Sequence, residues 1–72
     1  MDGTMVVNGV RAAYTMTQAG DGMGYLASVQ YTQRGPWEPV GPPGTVFANA
    51  GEARAAIRSH ISAHMTRVLG LL

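Results

Sequence analysis

Along residues 4–17, "TMVVNGVRAAYTMT", apolar and polar side chains alternate on both sides of Asn8-Gly9. A period of two marks strands that bury one face, and Asn-Gly tolerates the positive φ of a type I′ hairpin turn. Closing the chain there sets Val7 against Val10 and Met5 against Ala12. One face then reads Met5, Val7, Val10, Ala12, Tyr14 and Met16, and the other Thr4, Val6, Arg11, Ala13, Thr15 and Thr17. A second turn in "QAGDGMG", centred on Asp21-Gly22, leads into "YLASVQYTQ" (25–33), where Tyr25, Ala27, Val29 and Tyr31 share a face. Its register opposes Met16 to Ala27, Tyr14 to Val29 and Ala12 to Tyr31. Two turns chosen separately therefore give one continuous apolar face. A one-residue slip at either would turn every side chain over, so their agreement fixes the meander.

Residues 34–44, "RGPWEPVGPPG", hold all four prolines and Trp37. Proline withdraws ladder donors, so this segment is expected as a loop, with "TVF" (45–47) adding a short edge strand. "NAGE" (49–52) reads as a capping box, Asn49 at the N-cap and Glu52 at N3. The helix is expected over 50–69, with Gly70 as its C′ residue. At about 100° per residue, Ile57, Ile61, Met65, Val68 and Leu72 gather on one side with Ala53 at the edge. Arg58, Ser59, Ser62 and Thr66 face the other way. The expected fold is α+β: a three- or four-stranded antiparallel β-meander with one C-terminal α-helix packed on its apolar face (β-β-β-(β)-α), one small domain over residues 1–72.

Length changes the picture of stability. A chain of 72 residues buries only about 60% of the surface it exposes when unfolded. The absence of cysteine removes disulfides and thiolate metal sites. Self-association is one remaining source of burial, and the end of the chain offers apolar material for it. Leu69 points about 120° from Ile57, and Leu71 and Leu72 follow Gly70, so the three leucines are expected either as a homodimer contact or wrapped back over the sheet end.

Charge excludes more than it suggests. Five arginines, no lysine and four acidic residues leave a net charge of +1. That is too little for the clustered basic footprint of a nucleic-acid binder, and without lysine there is no Schiff base and no phosphate-loop lysine. "MDGTMVVNGV" is acidic ahead of a short apolar run, the reverse of a secretory leader. No window approaches the roughly 20 apolar residues of a membrane span. The expectation is a cytoplasmic protein, not a membrane one. Its arginine-only, Ala/Gly-rich composition points to a GC-rich bacterial or phage genome.

His60 and His64, the only histidines, stand four apart on the predicted helix, a spacing that can chelate a metal. A usable site needs a third ligand, and the acids Asp2, Asp21, Glu38 and Glu52 lie in no supporting motif. Position 61 is isoleucine, so there is no H-E-x-x-H. His64 falls inside the apolar stripe with His60 at its margin. The pair is therefore expected to pack on the sheet, satisfied by a backbone carbonyl or a tyrosine hydroxyl, with no metal or other cofactor. Ser28, Ser59 and Ser62 lack a nucleophile elbow. "GDGMG" joins strands instead of opening a helix, and its aspartate would repel phosphate. No catalytic set results, and the chain is expected not to be an enzyme.

What remains is surface. Trp37 is expected to fold back and plug the open end of the core; held outward, with Arg34 beside it, it would be a recognition anchor. Thr15, Thr17, Ser28, Gln30 and Thr32 make the outer sheet face polar, with Arg11 its one cation. The element order is similar to that of integrase N-terminal DNA-binding domains, which read the major groove from the sheet, but their motifs and basic sheet face are absent here. The function expected is a small non-enzymatic protein-interaction module, such as a phage or mobile-element inhibitor or adaptor. Its interaction candidates are Trp37, Arg34, Arg11, Gln30, Leu69, Leu71 and Leu72. The first alternative is weak nucleic-acid binding through scattered arginines, and the second is metal binding through His60 and His64.

Overall fold

The computed structural model describes residues 1–20 and 22–70, and helix side chains as far as His64. Four strands, β1 (Asp2–Val7), β2 (Val10–Gln18), β3 (Tyr25–Gln30) and β4 (Glu38–Pro39), form an antiparallel sheet in the order β1-β2-β3-β4. One helix, α1 (Ala50–Gly70), packs against it. The first hairpin closes where expected: Val7 pairs with Val10 and Met5 with Ala12, and Asn8 and Gly9 take φ of 51° and 84°, as a type I′ turn requires. The second hairpin has the expected register, Met16 with Ala27 and Tyr14 with Val29. The ladder ends at Ala13 and Gln30, one pair short of the expected Ala12 and Tyr31, because Tyr31 leaves the strand for a turn in which Gly35 N–H donates to Thr32 O.

The core lies between the sheet and α1. Ala12, Met16, Ala27, Val29 and Val40 from the sheet side meet Ala53, Ile57 and Ile61 from the helix, and all eight are buried. Met5, Val7, Val10, Tyr14, Tyr25 and Tyr31 pack partly buried around them. Thus the alternating face read from the two turns is the face that the helix covers.

Three expectations change. The fourth strand comes from the proline segment, Glu38–Pro39, and not from residues 45–47; Phe47 makes only a single bridge, exchanging backbone hydrogen bonds of 2.8 Å with Tyr25. Proline is tolerated because alternate residues of an antiparallel strand turn their N–H groups to opposite edges. Val29 pairs with Glu38 and Val40 N–H donates to Ala27 O, so the nitrogen of Pro39 faces away from β3 and no ladder bond is lost. Trp37 does not plug the core, being 48% exposed. Strand alternation sends Glu38 and Val40 toward the helix side with Trp37 and Pro39 the other way, and buried Val40 fills the place expected of the indole. Finally, α1 includes Gly70 as its last residue, so Gly70 is not the C′ position; Leu71 and Leu72 lie outside the described residues.

The capping box forms in a shifted version. Glu52 N–H donates to Asn49 Oδ1 at 2.9 Å, while the Glu52 carboxylate accepts from Ala48 N–H at 3.2 Å instead of from Asn49. Two exposed donors at the helix start are still satisfied, and the acid sits at the positive end of the helix dipole.

Candidate functional site

His60 and His64 both contact Tyr31, the residue that follows β3. The Tyr31 and His64 rings stack with centroids 3.8 Å apart and planes 15° from parallel. His60 lies one turn back, 5.9 Å from the tyrosine ring. His60 Nδ1 is 2.7 Å from the Tyr31 hydroxyl, which is also 3.3 Å from the His60 carbonyl oxygen. Both contacts are served when Nδ1–H donates to the hydroxyl oxygen and the hydroxyl donates to the carbonyl. Of the two partners expected for a histidine nitrogen, the tyrosine hydroxyl is the one that His60 Nδ1 meets; the carbonyl is His60's own and accepts from Tyr31. A metal would have to displace the tyrosine to use His60 Nδ1. Among the described residues, no three His, Asp, Glu or Cys side chains come together as a ligand set.

The arrangement therefore joins helix to sheet, and removing its hydroxyl tests that role. Tyr31→Phe keeps the stacking surface and deletes the hydrogen bond, so it is expected to destabilise the fold by about 1 kcal/mol. Urea denaturation would measure this; an unchanged midpoint would show that the His60 contact contributes nothing to stability.

The outer sheet face is the second region. Its strands present Asp2, Thr4 and Val6 from β1, Arg11, Ala13, Thr15 and Thr17 from β2, and Leu26, Ser28 and Gln30 from β3, by the observed registers. Asp2 Oδ1 accepts from the Thr15 hydroxyl at 2.5 Å. Arg11, Thr4 and Gln30 line a shallow hollow of about 440 Å³ that continues to the turn at Thr32 and Gln33. Gln30 Nε2 donates to Gly35 O at 2.8 Å, which fastens that turn to the sheet. The β3–β4 register carried one pair further sets Trp37 across from Gln30. Val6, Leu26 and Trp37 are exposed large hydrophobics.

Of the sequence-derived interaction candidates, the structure gathers Arg11 and Gln30 at this hollow; Trp37 is exposed just before β4, and Arg34 is exposed in the turn between β3 and β4. Leu69 lies in α1, where its side chain is outside the described positions, as are Leu71 and Leu72 altogether. Arg54 and Arg58 are exposed on α1, which lies on the opposite face of the sheet from Arg11, so these three guanidinium groups do not build one basic surface. Sequence reasoning missed exposed Leu26 on the outer face and buried Val40 in the core. The alternation in "WEPV" was the available signal for Val40, obscured by its prolines.

No helix among the described residues is long and apolar enough to cross a membrane. No protein-family model matches the chain, and neither does any curated protein or any solved structure.

Proposed function

We propose that this chain is a small non-enzymatic protein-interaction module whose outer sheet face receives a protein partner. The observation that carries this reading is that Trp37 is half exposed and that the β3–β4 register, carried one pair further, sets it across from Gln30, which lines the polar hollow with Arg11. Tryptophan and arginine are the residues that most often dominate binding energy. Pro36 and Pro39 flank the indole and fix backbone φ, which lowers the ordering cost of presenting it. The partner chemistry that fits is an apolar pocket for the indole with carboxylates placed for Arg11 and Arg34. An inhibitor or adaptor in a bacterial or phage cytoplasm suits the size and composition.

Trp37→Ala is the discriminating variant. Because the indole is not in the core, the substitution is expected to change folding stability by no more than about 0.5 kcal/mol. It should nonetheless remove capture of the partner that the tagged wild-type protein retains from its native host. Free protein should show tryptophan fluorescence open to quenching by iodide, and partner binding should suppress that quenching. Equal retention of the same partner by wild type and Trp37→Ala would refute the assignment.

A further inference from the structure

The two edges of the sheet are unlike. At the β4 edge the strand is two residues long and contains Pro39, with Pro36 before it and Pro42 and Pro43 after it. Short edge strands carrying proline are a common protection against further strand pairing. The β1 edge has no such device: "DGTMVV" is six residues without proline, lysine or arginine. Its hydrogen-bonding parity is fixed by the Met1–Met16 pair, which exchanges both backbone bonds at 2.7 Å. Residues 3, 5 and 7 therefore bond to β2, and the backbone N–H and C=O groups of Asp2, Thr4 and Val6 point away from the sheet.

We infer that β1 is an interface for a second copy of this chain, the two β1 strands pairing antiparallel to make one continuous eight-stranded sheet. Pairing that overlaps the full strand places Thr4 against Thr4 on a two-fold axis and Asp2 against Val6 of the second copy. In that register every outward N–H and C=O of residues 2, 4 and 6 meets its complement. The charges then match. Asp2 and Arg11 are the charged side chains that β1, β2 and β3 place on the outer face. Within one chain they are four positions apart along the strands, since Asp2 pairs with Thr15 and Arg11 with Val6. Across the two-fold axis they share one row: Thr15, Asp2, then Val6 and Arg11 of the second copy. Strand spacing puts the two α-carbons about 10 Å apart, within reach of an extended arginine crossing the exposed Val6 side chain. Symmetry makes the link twice. The surface lies at the opposite sheet edge from Trp37, so this pairing is independent of the partner site proposed above.

Sedimentation of the full chain at tens of micromolar should show a concentration-dependent dimer. Thr4→Pro deletes an outward donor without touching the β2 ladder, and should give a monomer with an unchanged circular dichroism spectrum. Asp2→Arg sets an arginine toward Arg11 of the second copy, twice by symmetry, and should weaken association by roughly tenfold or more. Combining it with Arg11→Asp should restore association to within about threefold of wild type, since the swapped charges meet only between copies. Amide exchange gives a readout that needs no variant: Thr4 and Val6 N–H should slow as concentration rises, while Gly3 and Met5 stay constant. A wild-type monomer at these concentrations would overturn the inference. So would a dimer whose Thr4 and Val6 exchange is independent of concentration, or one that the charge swap leaves no tighter than Asp2→Arg alone.

Discussion

Ile57→Ala is expected to remove about 3 kcal/mol of folding stability, within the range for deleting buried aliphatic volume. Ile57 is completely buried between Ala53 and Ile61 on the face of α1 that meets Ala12, Met16, Ala27 and Val29. Its loss leaves a cavity under the middle of the sheet, where strands held in a hydrogen-bonded ladder collapse poorly. A chain of this length holds only about 4–10 kcal/mol in total, so the substitution consumes a large share of it. The midpoint of urea unfolding should fall with its slope unchanged, and the melting temperature should drop by about 12–24 °C. Ile57→Val, which removes one methylene, should cost only about 1 kcal/mol. A loss below about 1 kcal/mol for the alanine variant would contradict the packing of α1 on the sheet.

Gly24→Ala should destabilise by about 2–4 kcal/mol, from two separable causes. The residue has φ of +95°, which a β-carbon disfavours. A β-carbon there would also stand 2.5 Å from Val46 Cγ1 and 2.6 Å from Phe47 O. Val46 is an exposed side chain and can rotate away. Phe47 O cannot move without breaking its 2.8 Å bond from Tyr25 N–H, the bridge that ties the segment before α1 to the sheet. Gly22 supplies the control, with φ of +77° and nothing within 4 Å of a β-carbon. Gly22→Ala therefore carries backbone strain alone, about 1 kcal/mol. The difference between the two variants, read by chemical denaturation, isolates the clash with Phe47 O. Equal losses would mean that the Tyr25–Phe47 bridge yields freely.

Two short turns and one cap were legible in the sequence because their chemistry is local. Asn8-Gly9 closed the first hairpin, and centring the second on Asp21-Gly22 gave its observed register although Asp21 itself lies outside the described residues. Registers set which side chains share a face, and Asn49 with Glu52 marked where the helix begins. Periodicity then identified Ala53, Ile57 and Ile61 as the helix side of the core, and set His64 within the stripe that faces the sheet. All of these follow from spacings of a few residues. Tertiary structure decided the rest, the stacking of His64 on Tyr31 included. Whether Pro39 could join a strand depended on which edge its missing N–H would face, and that is known only once β3 has a neighbour. Whether Trp37 or Val40 filled the open end of the core depended on that same pairing, since one residue of parity separates the helix side from the outer face. The contrast between a β4 edge closed by proline and a β1 edge left open likewise has no local signature. Strand order makes it, because a strand's free hydrogen-bonding groups are defined only by the neighbours it lacks.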